Sequence, residues 1–240
     1  MNSFDARIAR AGELAARYPS ARELLDFYRE LVIFQKPVFA GLRSTDVRDL
    51  ARHFPPLVEL IRRMGPKPLA EAPDRVLDED TLSRCWEGRT EDPVEQFYAR
   101  VLLQPFAESL AARKPVDIAT ARAVCPFCSA RPVAAVLRGE GDGGKRWLLC
   151  PVCSTEWQFR RVVCPSCGEE DKEKLPVYTA GEFAHVRAEA CDTCRTFLKS
   201  IDLTRDGHAV PVVDEIATVA LTLWAEDHGY SKIEPNLLGL

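Results

Sequence analysis

Eight of the nine cysteines in this 240-residue chain fall into four Cys-x-x-Cys pairs: Cys125/Cys128, Cys150/Cys153, Cys164/Cys167 and Cys191/Cys194. No other feature constrains the fold as much, because thiols that close on a metal dictate where the backbone between them must turn back. In a reducing compartment such pairs are metal ligands rather than structural disulfides. A thioredoxin-like redox motif would account for one pair, but not for four of them between residues 125 and 194. Cys85, in "SRCWEG", has no partner nearby and reads as a buried helix cysteine.

Which pairs share a metal follows from the segments between them. Residues 129–149 and 168–190 each carry a glycine turn in the middle, "GEGDGG" in one and Gly181 in the other. Each reads as a knuckle, a strand, a turn and a returning strand: "RPVAAVLR" then "KRWLLC", and "KLPVYTA" then "FAHVRAEAC". The spacing repeats, with 39 residues from Cys125 to Cys164 and 41 from Cys150 to Cys191, as two copies of one unit would give. Between the copies, "STEWQFRRVV" has no Gly, Pro, Asn or Asp to make a tight hairpin. It alternates instead, with Thr155, Trp157 and Phe159 on one face and Glu156, Gln158 and Arg160 on the other. A strand of about seven residues at ~3.3 Å each holds the inner pairs roughly 20 Å apart. The expected sites are therefore Cys125, Cys128, Cys150 and Cys153 for one metal and Cys164, Cys167, Cys191 and Cys194 for the other. Ligand spacing alone also allows a cross-braced scheme, first pair with third and second with fourth. Four thiolates suit Zn²⁺ or iron alike, and close the site against substrate.

The first half has a different texture. "PSARELLDFYREL" offers Ser20 as a helix cap with Glu23 behind it, followed by Leu24, Phe27, Tyr28, Leu31 and Val32 at helical spacing. Asp92, Pro93 and Glu95 open a second long helix carrying Val94, Phe97, Tyr98, Val101 and Leu102. Shorter helices are expected around 4–17, 45–53, 56–64 and 80–87, the 56–64 helix ended by Gly65 and Pro66. Near the C-terminus, Asp214 is expected to cap a helix carrying Ile216, Val219, Ala220, Leu223 and Trp224 and ended by Gly229. The expected fold class is α+β: a helical bundle over 1–120, four-cysteine β modules over 121–163 and 164–205, and a C-terminal helix and tail over 206–240.

Composition excludes several functions. A net charge of −4 gives no general attraction to nucleic acid or anionic lipid. No stretch approaches the ~18–20 apolar residues of a membrane span, and the N-terminus lacks the apolar core of a signal peptide, so a cytoplasmic protein is expected. Residues 121–205 hold 13 Lys plus Arg against 11 Asp plus Glu. Two zinc tetrathiolates, each adding about −2, would bring the module to about −2, so nucleic-acid binding is disfavoured. No haem, P-loop or dinucleotide motif is present, and His53, His185, His208 and His228 have no ligand spacing, so no catalytic residue is assigned. Arg160 and Arg161 are candidates for a recognition patch, and Asp192, which replaces the proline of the other three knuckles, for a partner contact.

The run "CPFC … LLCPVCSTEWQFRRVVCPSC … EACDTCRTFLKSIDL", with "VDEIATVALTLWAEDHGYSKIEPNLLGL" behind it, resembles the bacterial formate dehydrogenase accessory proteins, the FdhE family. The helical half resembles them more loosely, through "YRELVIFQKPVF". The resemblance implies a non-enzymatic cytoplasmic maturation factor with two rubredoxin-like modules, associated with iron. It implies binding to the catalytic subunit of a respiratory formate dehydrogenase before export, with no membrane insertion and a homodimer left open. Trp157, Arg160 and Arg161 then become a place to look for that partner's footprint. The competing functions are a zinc-ribbon adaptor in transcription or translation and a rubredoxin-like electron carrier.

Overall fold

Phe27, Tyr28, Leu31 and Val32 form the buried stripe of a twenty-residue helix in a computed structural model, with Leu25 rather than Leu24 completing it. The structure describes residues 3–71, 77–140 and 143–240. The helices are α1 (Ser3–Arg17), α2 (Arg22–Gly41), α3 (Phe54–Met64), α4 (Lys67–Ala70), α5 (Glu79–Trp86) and α6 (Pro93–Arg113). None of the described helices is long and apolar enough to cross a membrane.

Ser20 does not cap α2: Pro19–Ala21 form a tight 3-10 turn between α1 and α2, and Ala21 takes the cap position without a side-chain bond. Pro19 fixes the backbone at the first position of that turn, which moves the boundary one residue downstream. Expected helix 45–53 is a 3-10 segment, Val47–His53, capped by Asp46. Asp92 caps α6 by accepting from the Val94 and Glu95 amides. Except for half-buried Arg100, α6 is buried from Phe97 to Ser109, so it is the central helix of the bundle rather than one with a single apolar face. Pro105 lies inside it and cannot donate to the Val101 carbonyl. Buried Gln35 on α2 supplies the missing donor, its Nε2 lying 2.8 Å from that oxygen and 3.1 Å from Gln104 Oε1. Gln104 Nε2 in turn donates to the Pro151 carbonyl (3.0 Å), tying the bundle to the second knuckle.

Among the described residues seven strands follow: β1 (Ala134–Glu140), β2 (Gly143–Leu149), β3 (Glu156–Phe159), β4 (Val177–Thr179), β5 (Val186–Cys191), β6 (Thr196–Asp202) and β7 (Ser231–Lys232). Residues 141–142 of the expected "GEGDGG" turn lie outside the described residues. All seven strands belong to one sheet in the order β3-β2-β1-β6-β5-β4, with β7 beside the start of β6. Strand β6, unassigned from sequence, is to the second copy what β3 is to the first: the strand leaving the last knuckle. The copies join head to tail, Ala134–Leu137 of β1 running parallel to Lys199–Asp202 of β6. β3 is shorter than expected, ending at Phe159 before a turn over Arg161–Val163 that reaches the third knuckle.

Two C-terminal helices, α7 (Pro211–Ala217) and α8 (Val219–Asp227), replace the single one expected. Asp214 is inside α7 rather than at its cap, because Pro211 occupies the first helical position and Val210 precedes it. Fully buried, Asp214 takes a bidentate contact from Arg10 of α1 (3.1 Å and 2.6 Å) and a bond with His185 Nε2 (2.7 Å). The next residue, Glu215, accepts from Lys199 Nζ on β6 (2.9 Å), from Lys232 Nζ (2.5 Å) and from Asn236 Nδ2 (2.7 Å). Tyr230 donates to Asp192 in the fourth knuckle (2.5 Å). Buried charge pairs of the "VDEIA" segment thus hold α1, β6 and the tail together, while the Asn236 amide adds the "PNLL" segment and the Tyr230 hydroxyl ties "GY" to the fourth knuckle.

Candidate metal centres

One backbone device recurs at every knuckle. Ser129, Ser154, Gly168 and Arg195, each directly after the second cysteine of its pair, have φ of 63°, 55°, 82° and 55°. Ser129, Ser154 and Arg195 are the only non-glycine residues among those described with positive φ. The left-handed residue lets the chain curl under the cysteines: the Ser129 and Gly168 amides donate to the Cys125 and Cys164 carbonyls at 2.9 Å. The same curl turns amides toward sulfur, Val152 and Cys153 donating to Cys150 Sγ and Ser166 to Cys164 Sγ, each at 3.4 Å. Such bonds favour the thiolate form a metal requires.

The sulfurs assemble in two sets, Cys125, Cys128, Cys150 and Cys153 in one and Cys164, Cys167, Cys191 and Cys194 in the other; the members of each lie within 4.8 Å of one another. In the first set the separations are 3.6 Å (Cys125–Cys153), 3.3 Å (Cys128–Cys150) and 3.7 Å (Cys128–Cys153). In the second they are 3.7 Å for both Cys164–Cys194 and Cys167–Cys191. A tetrahedral ion with metal–sulfur bonds of ~2.3 Å sets the edges at about 3.8 Å, so both sets have the size of a tetrathiolate site. Each can therefore hold one metal ion, and the first-with-third grouping is not the one present. Hydrogen bonds among the thiols lower the Cys125 pKa and raise those of Cys150 and Cys153. Sulfurs this crowded do not all ionise without a cation between them.

The two sets differ in exposure. In the first, Cys125, Cys150 and Cys153 are buried and Cys128 is half-buried; in the second, Cys167 is exposed and Cys194 half-buried. The helical bundle shields the first set. Arg7 of α1 donates to Glu108 of α6 (2.8 Å) and to Ser154 Oγ (3.0 Å), which donates to the same Glu108 oxygen (2.7 Å). A cleft of about 720 Å³ runs between the bundle and these knuckles, past Cys85, Trp86, Phe127 and Cys128. Cys85 is half-buried there, its sulfur against Thr90 Oγ1 at 3.2 Å.

The expected partner contacts divide. Trp157 is fully buried and its Nε1 donates to the Arg122 carbonyl (2.8 Å), so it belongs to the core of the first module and presents no surface. Burial on the inner face of β3 is what the alternation of that strand requires. Arg160 is exposed and paired with Glu170 (2.5 Å and 2.7 Å). Arg161 is exposed too, donating to the Gly144 carbonyl (3.0 Å). Asp192 is occupied by Tyr230 and by Arg195 (3.0 Å). A third group of ligand type, His185, Asp206 and Asp214, escapes the sequence because its members are far apart in the chain. The Arg10 guanidinium already sits on both carboxylates, 2.6 Å from each, and supplies the positive charge a metal would bring.

Profiles of two domains match the chain: the FdhE central domain over residues 124–161 and the FdhE C-terminal domain over 162–238. Among similar proteins, an FdhE homolog of Rhizobium meliloti is 30% identical over 208 residues, covering 82% of this chain and 68% of the relative. One from Aquifex aeolicus is 28% identical over 206 residues, covering 82% and 73%. The Pseudomonas aeruginosa homolog is 37% identical over 123 residues, only 40% of its own length. In solved structures, the FdhE protein from Pseudomonas aeruginosa superposes with a TM-score of 0.73 over 98% of this chain and 95% of that one, at 22% identity, a likeness of fold.

Proposed function

The chain belongs to the FdhE family, and we propose that it is a cytoplasmic, non-enzymatic accessory protein that binds the catalytic subunit of a respiratory formate dehydrogenase and supports its assembly or redox state before export. The observation that carries this reading is the pair of four-sulfur sets. Each set offers four sulfurs, as many donors as a tetrahedral ion takes, which would leave no position for a substrate. Such closed sites organise a surface or hold an electron rather than turn over a ligand. We place one metal in each set, iron by family and zinc by the same donor chemistry, and read residues 1–120, 121–163, 164–205 and 206–240 as the helical, first-module, second-module and tail parts. Deleting the gene tests the proposal: formate oxidation should fall, and return with the wild-type gene but not with Cys128→Ser or Cys164→Ser. Wild-type formate oxidation in the deletion strain, grown with and without oxygen, would end it.

A second reading, a rubredoxin-like electron carrier, is favoured by exposed Cys167, which brings one centre to the surface. It requires reversible one-electron reduction of the iron-loaded protein, coupled to a partner's turnover.

A further inference from the structure

A cavity of about 260 Å³ opens beside the second four-sulfur set, its wall formed in part by Cys164 and Cys191. Its charge is one-sided: Arg146, Arg161, Lys172 and Arg187 line it, with Glu189 as the sole carboxylate among the described residues. Glu189 is committed, Arg146 Nη2 lying 2.8 Å and Arg187 Nη2 2.9 Å from its oxygens. Arg161 donates to the Gly144 carbonyl, and neither it nor Lys172 has an acidic partner among the described residues. Arg146 is 3% exposed and held rigidly, its Nη1 donating to the Arg160 (3.1 Å) and Val163 (3.0 Å) carbonyls, yet its buried Nε has no hydrogen-bond partner. A buried guanidinium N–H left open is costly unless something else satisfies it.

Apolar residues complete the cavity. Leu175, Leu198 and Ile233 line it, and two of its residues, Val162 and Val177, are 42% and 50% exposed. Drug-sized ligands occupy pockets of about 300–1,000 Å³, so this one suits a single side chain of a larger partner better than a free small molecule.

We infer that this cavity docks a short acidic, apolar segment of a protein partner, one aliphatic residue entering between Val162 and Val177 with its neighbouring Asp or Glu on Arg161 and Lys172. The inference rests on the accessory-protein reading and names its surface: the partner sits over the junction of the two modules, beside the more exposed sulfur set. A nucleic acid is the weaker occupant, because the module's small excess of 13 basic over 11 acidic residues disappears once two tetrathiolate centres are counted.

The test uses the full-length, metal-loaded chain, the catalytic subunit of formate dehydrogenase from the same genome, and overlapping 12-residue peptides of that subunit. The wild type should capture the subunit, and the peptides it binds should pair Leu, Ile or Val with Asp or Glu. The double variant Arg161→Glu/Lys172→Glu and the single variant Val177→Asp should each weaken both interactions at least ten-fold with metal content unchanged. The helical-domain control Arg63→Glu should leave them as they are. Capture of the subunit by wild type and cavity variants alike would overturn the inference and leave the accessory reading standing. No capture by any form would remove both. Loss of metal in the charge-reversed variant would mean that the cations serve the sulfurs, and binding of a labelled single-stranded oligonucleotide through Arg161 and Lys172 would replace the peptide; either result overturns the inference.

Discussion

Replacing Glu215 by Gln should be among the most damaging single changes available outside the cysteines. Its side chain is 1% exposed and faces two ammonium groups, Lys199 (1% exposed) and Lys232 (5%). Burial alone would raise its pKa, but the two lysines outweigh burial and hold it at about 2 against an ordinary 4.5. That fall corresponds to about 3 kcal/mol, at the lower end of the ~3–5 kcal/mol lost when one partner of a buried pair is removed. For a chain of this size a loss of about 3 kcal/mol amounts to a drop of roughly 6–12 °C in Tm. The pH dependence has a defined sign. A carboxyl whose folded pKa is depressed stabilises fully above 4.5, and that stability disappears as pH falls toward 2; the Gln variant lacks this contribution. Burial pushes Lys199 down to about 8 despite Glu215, so the folded state binds fewer protons than the unfolded chain between about 8 and 10.5. Without Glu215, Lys199 releases its proton at still lower pH, and the stability gap between variant and parent should narrow from pH 7 to pH 9. Melting curves at matched metal content, at pH 7 and pH 9, measure both effects. A Tm within 2–3 °C of the parent at pH 7, about 1 kcal/mol by the same conversion, would refute the charge balance argued from these contacts.

Arg10→Met should lower stability by about 3–5 kcal/mol, because it leaves the carboxylate of buried Asp214 without its bidentate partner; denaturant midpoints at fixed metal content check it. Gly168→Val should destabilise the third knuckle by roughly 1–3 kcal/mol, since a β-branched residue must adopt φ of 82° there, and chelator competition at the second set should register the change first. On treatment with EDTA and a thiol-labelling reagent, Cys164, Cys167, Cys191 and Cys194 should be modified before the first set, because Cys167 is exposed while the first set has three buried cysteines; peptide mapping by mass spectrometry gives the order.

What the sequence makes legible here is local. A Cys-x-x-Cys knuckle is four residues long, and the glycine turns between knuckles mark which pairs fold back on each other, so the two sulfur sets can be read from the turns where ligand spacing alone leaves the pairing open. Asp92 with Pro93 likewise announces α6, since a cap and its helix are adjacent. The parallel joint between β1 and β6 has no such trace, because residues 134 and 199 become neighbours only when the whole sheet forms. Arg10 and Asp214 are 204 residues apart, and neither spacing nor composition marks an arginine as buried. Asp214 reads as a cap for that reason: an acid two residues before Ile216 suits a helix start, and only the ion pair with α1 explains why it is buried in a helix interior. Trp157 is legible as the inner-face residue of an alternating strand, which argues for burial, and its candidacy as a partner contact runs against that alternation. The polar links Arg7–Glu108–Ser154 and Gln35–Gln104–Pro151 are hidden too, though Pro105 inside α6 signals that the Val101 carbonyl needs a donor from elsewhere.

That the eight paired cysteines form two closed, independent tetrathiolate sites stands or falls on metal analysis joined to X-ray absorption spectroscopy of the anaerobically purified full-length chain. Two ions per chain are expected, each in a shell of four sulfurs at ~2.3 Å, falling to one in Cys128→Ser and to one in Cys164→Ser. A single ion in the wild type, or a shell mixing sulfur with nitrogen or oxygen, would rule the two-site arrangement out.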